Sequence, residues 1–212
     1  LQIVCAIKSF TPKNSIQAKS IPIAFQKERY ILRGLSTWKH VHILDFFGSF
    51  EFLSESKFGL FGLVLSFAEG GDLNQFLRLP RSPNWLLTGP RCLPFCKVLF
   101  VQTRSIVDAL KFLHDKTSSA GYIIHRDIKP ANILIQNATF KIGDFGSSRM
   151  KDEEETSKTE WGLGTPMYAP PEKTIGDSDS YGRALDVWAL GLDLPCWRFL
   201  FCYCMGSISL QL

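Results

Sequence analysis

His125-Arg126-Asp127-Ile128-Lys129-Pro130-Ala131-Asn132 sets three chemically different polar groups at fixed short spacings. Asp127 is a candidate base, Lys129 a cation and Asn132 a candidate metal ligand. Tyr122-Ile123-Ile124 precedes the stretch and Ile133-Leu134-Ile135 follows it, so the polar residues are expected on a loop pinned at both ends by buried strands. Twelve positions beyond Asn132 stands Asp144-Phe145-Gly146. A polar turn between two core strands accounts for any one of these residues but not for the ordered set.

The 212 residues are enough for one sizeable domain, or one and part of another, and a hydrophobic content of 45% suffices for a packed core. The formal charge of +4, from 24 Lys and Arg against 20 Asp and Glu, is too mild to argue for nucleic acid, and no basic block runs along a predicted helix. Six cysteines, at 5, 92, 96, 196, 202 and 204, include no CxxC pair. They are expected as reduced thiols in a cytoplasmic or nuclear protein, because a core of this size needs no disulfide framework. Leu1-Gln2-Ile3-Val4 is too brief for a signal peptide. Phe199 to Met205 is apolar, yet with Asp193 and Arg198 nearby it falls short of the ~18 clean residues of a span, so no membrane is expected as partner. Since the first residue is not Met, the chain is expected to be a fragment.

The two motifs match the catalytic loop HRDxxxxN and the magnesium-binding DFG, and the chain resembles a eukaryotic protein kinase catalytic domain. The resemblance implies an α+β, two-lobed fold, with ATP and magnesium as cofactors and a protein as substrate. Lys129 and Gly164-Thr165, ahead of Pro166-Met167-Tyr168-Ala169-Pro170-Pro171-Glu172, resemble Ser/Thr rather than Tyr kinases. In the roles carried over, Asp127 takes the proton of the acceptor hydroxyl, Lys129 steadies the transferring group, and Asn132 and Asp144 hold magnesium. Ile3 to Lys8 is similar to the strand written VAIK, whose Lys clamps the ATP phosphates. Glu28, twenty positions on, stands where a helical Glu pairs with that Lys. Ser66 to Leu73 resembles the hinge: Leu65 takes the gatekeeper place, the backbone of Ser66 and Ala68 meets adenine, and Asp72 faces the ribose. Ala6 and Leu134 are the remaining nucleotide contacts so implied.

The resemblance divides the chain into a small lobe over about 1–65, a hinge at 66–73, a large lobe over 74–191 and an unmatched apolar tail at 192–212. Periodicity predicts a loop from Thr11 to Pro22, then a helix from Phe25 to Leu35 with apolar residues at 25, 31, 32 and 35. Two strands follow, around Phe46 to Phe50 and Leu60 to Leu65, flanking a polar turn at Ser54 to Lys57. His40 and His42 lack acidic or thiol companions and are expected to pack or face solvent. A short helix is expected from Asn74 to Leu79. A breaker-rich insertion then runs to Pro94, and a long helix buries Val98, Val101, Ile106, Leu110 and Leu113. Asp186 to Gly191 resembles the start of the central large-lobe helix, with Pro195 in its interior.

Between the DFG and the APE-like end, the acidic run Asp152 to Glu155 precedes Thr156, Ser157 and Thr159. Arg126 resembles the residue that receives an activation-loop phosphate, a place open to Glu160 or phosphorylated Thr159. A family member carries a Gly-rich loop ahead of the strand Lys, and the large lobe continues beyond Gly191. The chain is therefore expected to be truncated at both ends. That leaves one alternative function, a catalytically weak or inactive kinase-like scaffold. The complete HRDIKPAN argues against a kinase of small molecules such as aminoglycosides.

Overall fold

The computed structural model describes residues 3–52, 59–78, 92–115, 121–151, 165–171 and 182–192. The expected turn at 54–57, the middle of the insertion, the acidic run with Thr156, Ser157, Thr159 and Glu160, and the tail from Asp193 lie outside them.

Strands β1 (Cys5–Phe10), β2 (Phe46–Phe52) and β3 (Leu60–Ser66) form an antiparallel sheet in the order β1-β3-β2. The central strand is the one with a near-continuous apolar run, and Phe61 and Leu63 are buried in it. In β1 burial alternates, which puts Ala6, Lys8 and Phe10 on one face and exposes Cys5, Ile7 and Ser9 on the other.

Helix α1 (Ser15–Trp38) packs against this sheet. Its stripe is Phe25, Glu28, Leu32 and Leu35, all buried at alternating spacings of three and four. Phe25 meets Phe10 and Phe61 at ring distances of 5.6 and 5.2 Å, so Glu28 is a carboxylate planted in an apolar seam. Both helix ends differ from expectation. The helix begins at Ser15 rather than beyond Pro22, because Asn14 accepts the Gln17 N–H at 2.9 Å while the Gln17 side chain accepts the Lys13 N–H at 2.8 Å. That exchange resembles a capping box and satisfies donors a helix start otherwise leaves open. Pro22 therefore lies inside the helix, where it removes one ladder bond without ending it. At the far end the helix passes Leu35 and stops at Trp38.

A linker over 67–72 leads to α2 (Leu73–Arg78), whose first turn is capped by Asp72, its Oδ1 accepting the Gln75 N–H at 2.8 Å. Helix α3 (Cys92–His114) starts two residues before Pro94, which the sequence reading placed in a loop; in the first helical turn its missing N–H has no partner to lose. Its buried face is Ser105, Ile106, Ala109, Leu110 and Leu113. Val101, expected in that stripe, is 58% exposed, since 3.6 residues per turn carry it outside the arc.

Two antiparallel ribbons complete the picture: β4 (Tyr122–Ile124) with β7 (Arg149–Lys151), and β5 (Ile133–Gln136) with β6 (Thr139–Ile142). The β5–β6 loop is Asn137-Ala138, both with positive φ (51 and 55°), the mirror-image turn that matches strand twist. Gln102 of α3 holds it, donating to the Ala138 carbonyl at 3.1 Å and accepting the Phe140 N–H at 2.9 Å. A helix over 184–192, α4, packs Ala189 and Leu190 into the same core. The loop of residues 125–132 runs between β4 and β5, where the flanking apolar runs placed it. Among the described residues no helix is long and apolar enough to cross a membrane.

Candidate active site

The polar side chains of the site gather in two clusters. In the first, the Lys8 ammonium lies 2.9 and 2.8 Å from the two carboxylate oxygens of Glu28 and 2.7 Å from Asp144 Oδ1. Strand β1 supplies the cation, the apolar stripe of α1 the buried carboxylate, and the turn after β6 the exposed one. Burial draws Lys8 down, but the two carboxylates outweigh it and hold the ammonium above its ordinary value. Burial pushes Glu28 up against the pull of Lys8, the cost of seating a charge in the seam. Asp144 adopts a left-handed conformation (φ 58°) and accepts the Gly146 N–H at 3.2 Å. A Cβ on Gly146 would stand 3.2 Å from Glu28 Oε2 and 3.3 Å from Lys8 Nζ, so this residue leaves the ion cluster its room. Burial raises Asp144, and Lys8 more than offsets it, holding the carboxyl below its usual range.

The second cluster is built on the loop. Asp127 Oδ1 accepts the Thr165 N–H at 3.0 Å and its hydroxyl at 2.8 Å; Oδ2 accepts Lys129 Nζ at 2.8 Å and Asn132 Nδ2 at 2.9 Å. Lys129 also donates to Thr165 Oγ1 at 2.8 Å. Burial pushes the Asp127 carboxyl up, yet these donors outweigh it and keep it below the ordinary value, hence ionised. Asn132 Nδ2 bonds the Asp127 carbonyl as well, at 2.7 Å, which turns its amide oxygen away from Asp127.

Beneath the loop, His125 is fully buried, its Nε2 3.0 Å from the Gly143 carbonyl and its Nδ1 accepting the Asp127 N–H at 3.4 Å. Burial lowers its pKa, so the ring is neutral and carries its proton on Nε2. It stacks edge-on against Phe145 at 5.0 Å. Asp186 of α4, fully buried, accepts the backbone N–H of His125 at 2.8 Å and of Arg126 at 2.7 Å, and pairs with His114 at 2.8 Å. Arg126 donates Nε–H to the Ser147 carbonyl at 2.6 Å.

The residues expected at the nucleotide base are carried by segments that adjoin one another. Ala6 pairs with Leu65 across β1 and β3, and Asp72 bridges to Leu134 of β5. Ser66 is buried with its N–H on the Asp45 carbonyl at 2.9 Å, and Ala68 accepts the Gly71 N–H at 3.1 Å.

The family model for the protein kinase domain matches residues 2–198. This chain belongs to the protein kinase family. Calcium/calmodulin-dependent protein kinase cmkB of Emericella nidulans is 34% identical to it over 171 residues, 79% of this chain and 36% of that protein. Mitogen-activated protein kinase kinase kinase 1 of Arabidopsis thaliana is 38% identical over 125 residues, 58% and 19% of the two chains. Serine/threonine-protein kinase Nek1 of Mus musculus is 35% identical over 168 residues, 78% and 12%. The chain thus spans about a third or less of the length of these relatives.

Two features of the site escaped the sequence reading. Asp186 was read only as the start of a helix; the signal was an acid opening the apolar run Val187 to Leu190, where burial demands partners. The contact of Thr165 with Asp127 spans 38 positions and has no local signature.

Proposed function

We propose that this kinase transfers the γ-phosphoryl group of ATP to Ser or Thr hydroxyls of proteins. The observation that carries the reading is the pairing of an ionised, fully engaged Asp127 with the separate Lys8–Glu28–Asp144 cluster. Phosphoryl transfer needs little covalent help, so its demands are positioning and charge neutralisation. Asp127 accepts the acceptor's proton as the new oxygen–phosphorus bond forms and the bridging one to the β-phosphate breaks. Lys129, already spanning Asp127 and Thr165, places a cation beside the group in flight. Lys8, freed in part from Asp144, binds the α- and β-phosphates while Glu28 keeps its ammonium in place.

For magnesium the donors fit. Asn132 Oδ1 and the second oxygen of Asp144, whose side chain is 49% exposed, are hard oxygens of the kind this ion prefers. Among the described residues no three acidic, His or Cys side chains gather into a metal cage, which suits an ion held through one or two protein oxygens and substrate phosphates. Magnesium bound there would neutralise charge on the β- and γ-phosphates. A scaffold that merely keeps the fold has no need of Lys8, Glu28, Asp127, Asn132 and Asp144, and all five are engaged. The test is transfer of label from γ-labelled ATP with magnesium to a generic protein substrate, followed by acid hydrolysis. Phosphoserine and phosphothreonine are expected; phosphotyrosine alone, or no transfer, overturns the reading.

A second measurement bears on the ion cluster. Lys8→Ala and Glu28→Ala are expected to lower kcat/KM by similar factors, and the double variant by little more, because the two groups act as one unit. Additive losses in the double-mutant cycle count against the pair.

A further inference from the structure

The linker between β3 and α2 is stitched to the β5–β6 turn. Gly70 N–H donates to the Ile135 carbonyl at 3.0 Å, Ile135 N–H to the Gly71 carbonyl at 2.9 Å, and Asn137 N–H to Glu69 Oε1 at 2.5 Å. A Cβ on Gly70 would come within 2.6 Å of Ile135 Cγ2, so the two segments touch at backbone distance. A side-chain relay runs alongside. The Asp45 N–H donates to Ser66 Oγ at 3.2 Å, the Ser66 hydroxyl to Gln136 Oε1 at 3.4 Å, and Gln136 Nε2 to the Phe67 carbonyl at 3.0 Å. Every donor in this series meets an acceptor. Turning the Gln136 amide over would set its oxygen against the Phe67 carbonyl, which fixes the orientation. Ser66 is 5% exposed, so water offers its hydroxyl little competition.

The consequence falls on the peptide between Phe67 and Ala68. It is trans, and a trans peptide carries its C=O and N–H on opposite sides. With the Phe67 carbonyl held toward Gln136, the Ala68 N–H points the other way, and no described residue accepts it. We propose that Gln136 is a specificity-determining positioning residue: through the Phe67 carbonyl it locks the linker peptide with its N–H presented to the purine. A presented donor suits adenine, whose N1 is an acceptor. It opposes guanine, whose N1 carries a proton. A peptide free to turn over would present a carbonyl instead and lose that discrimination. The inference rests on the nucleotide site proposed above, and it assigns purine choice to a side chain on the hairpin rather than to the linker itself.

Gln136→Glu is the sharpest test, since it keeps size and shape but removes the donor. A carboxylate repels the Phe67 carbonyl and accepts the Ala68 N–H of an inverted peptide, so the variant favours inversion. Calorimetric titration with ATP and with GTP, both with magnesium, is expected to show the ratio of affinities falling by about tenfold or more, the size of a lost and an opposed hydrogen bond. Gln136→Leu, which removes the lock without favouring inversion, is expected to lower the ratio less. In turnover the loss falls on KM for ATP rather than on kcat, and thermal midpoints stay near that of the unaltered protein. An unchanged ratio in Gln136→Glu, or equal weakening of both nucleotides, overturns the assignment. Because titration needs no acceptor, an unaltered protein that binds ATP without transferring phosphate overturns the proposed function and leaves this inference standing. One that binds neither nucleotide overturns both.

Discussion

Asp127→Asn is expected to lower kcat by about a thousandfold or more, with the affinity for ATP changed less than about twofold. Four donors surround the carboxylate: the Thr165 N–H and hydroxyl, Lys129 and Asn132. They hold it ionised, so at neutral pH it is always ready to take the acceptor's proton, whereas an amide cannot take one. Asparagine also offers one oxygen and one NH2 where both sides now require an acceptor. Either Lys129 or Thr165 therefore loses its bond to residue 127, though the two remain joined to each other. In the proposed site the ATP phosphates are held by a different cluster, centred on Lys8, whose ion pairs do not include Asp127. Rapid-quench transfer measurements paired with nucleotide titration separate the two quantities. Turnover near that of the unaltered protein removes Asp127 from the role of base. As pH falls, the same carboxyl contributes to stability until it protonates below its ordinary value, so that contribution is complete at neutral pH and is lost on the acid side.

Legibility followed the range of the interactions. The motif residues could be placed because apolar runs fixed β4 and β5 on either side, and short spacing then left Asp127, Lys129 and Asn132 only one loop to occupy. Lys8 and Glu28 were legible through the resemblance, from the strand-like run that ends in Lys8 and the twenty-position spacing; the structure adds that Ala6 and Lys8 share a face of β1 and that Glu28 falls on the stripe of Phe25, Leu32 and Leu35. The expected loop from Thr11 to Pro22 is helical from Ser15, and the pair Asn14 and Gln17 carries the capping signal for that earlier start. A single cap and a well-buried seam outweighed one lost ladder bond. Pro94 was likewise expected in a loop, since a proline near a helix start reads like one in a loop. What the sequence could not express was tertiary pairing. Gln136 bonds a carbonyl 69 positions away and Asp186 backbone amides 60 and 61 positions away, and neither residue's type announces its partner.

Asp186→Ala is expected to destabilise the protein by about 3–5 kcal/mol and to lower kcat even under conditions where the variant is folded. The carboxylate is fully buried and takes three donors: the amides of His125 and Arg126 and the ring of His114. Removing it leaves two buried N–H groups without an acceptor, each costing about 1–3 kcal/mol, and deprives His114 of its partner. A second strain is released at the same time. Arg126 sits at φ 67°, a left-handed conformation that costs a residue with a side chain about 1–2 kcal/mol and persists only where its surroundings impose it. Asp186 grips the amides on either side of His125 and so fixes the peptide that enters Arg126, while the Asp127 N–H on His125 Nδ1 holds the peptide that leaves it. Once released, Arg126 relaxes toward ordinary backbone angles and carries the next residue, Asp127, out of line with Lys129 and Thr165. A displacement of about 1 Å at a reacting group costs on the order of a hundredfold in rate. Asp186→Asn retains one acceptor oxygen but turns an NH2 toward an N–H, so its losses fall between those of the unaltered protein and the alanine variant. Urea titration gives the stability term. Transfer assays below the lowered midpoint then give the catalytic one, and a kcat that recovers fully once the variant is folded shows that Asp186 supports the fold without aligning the loop.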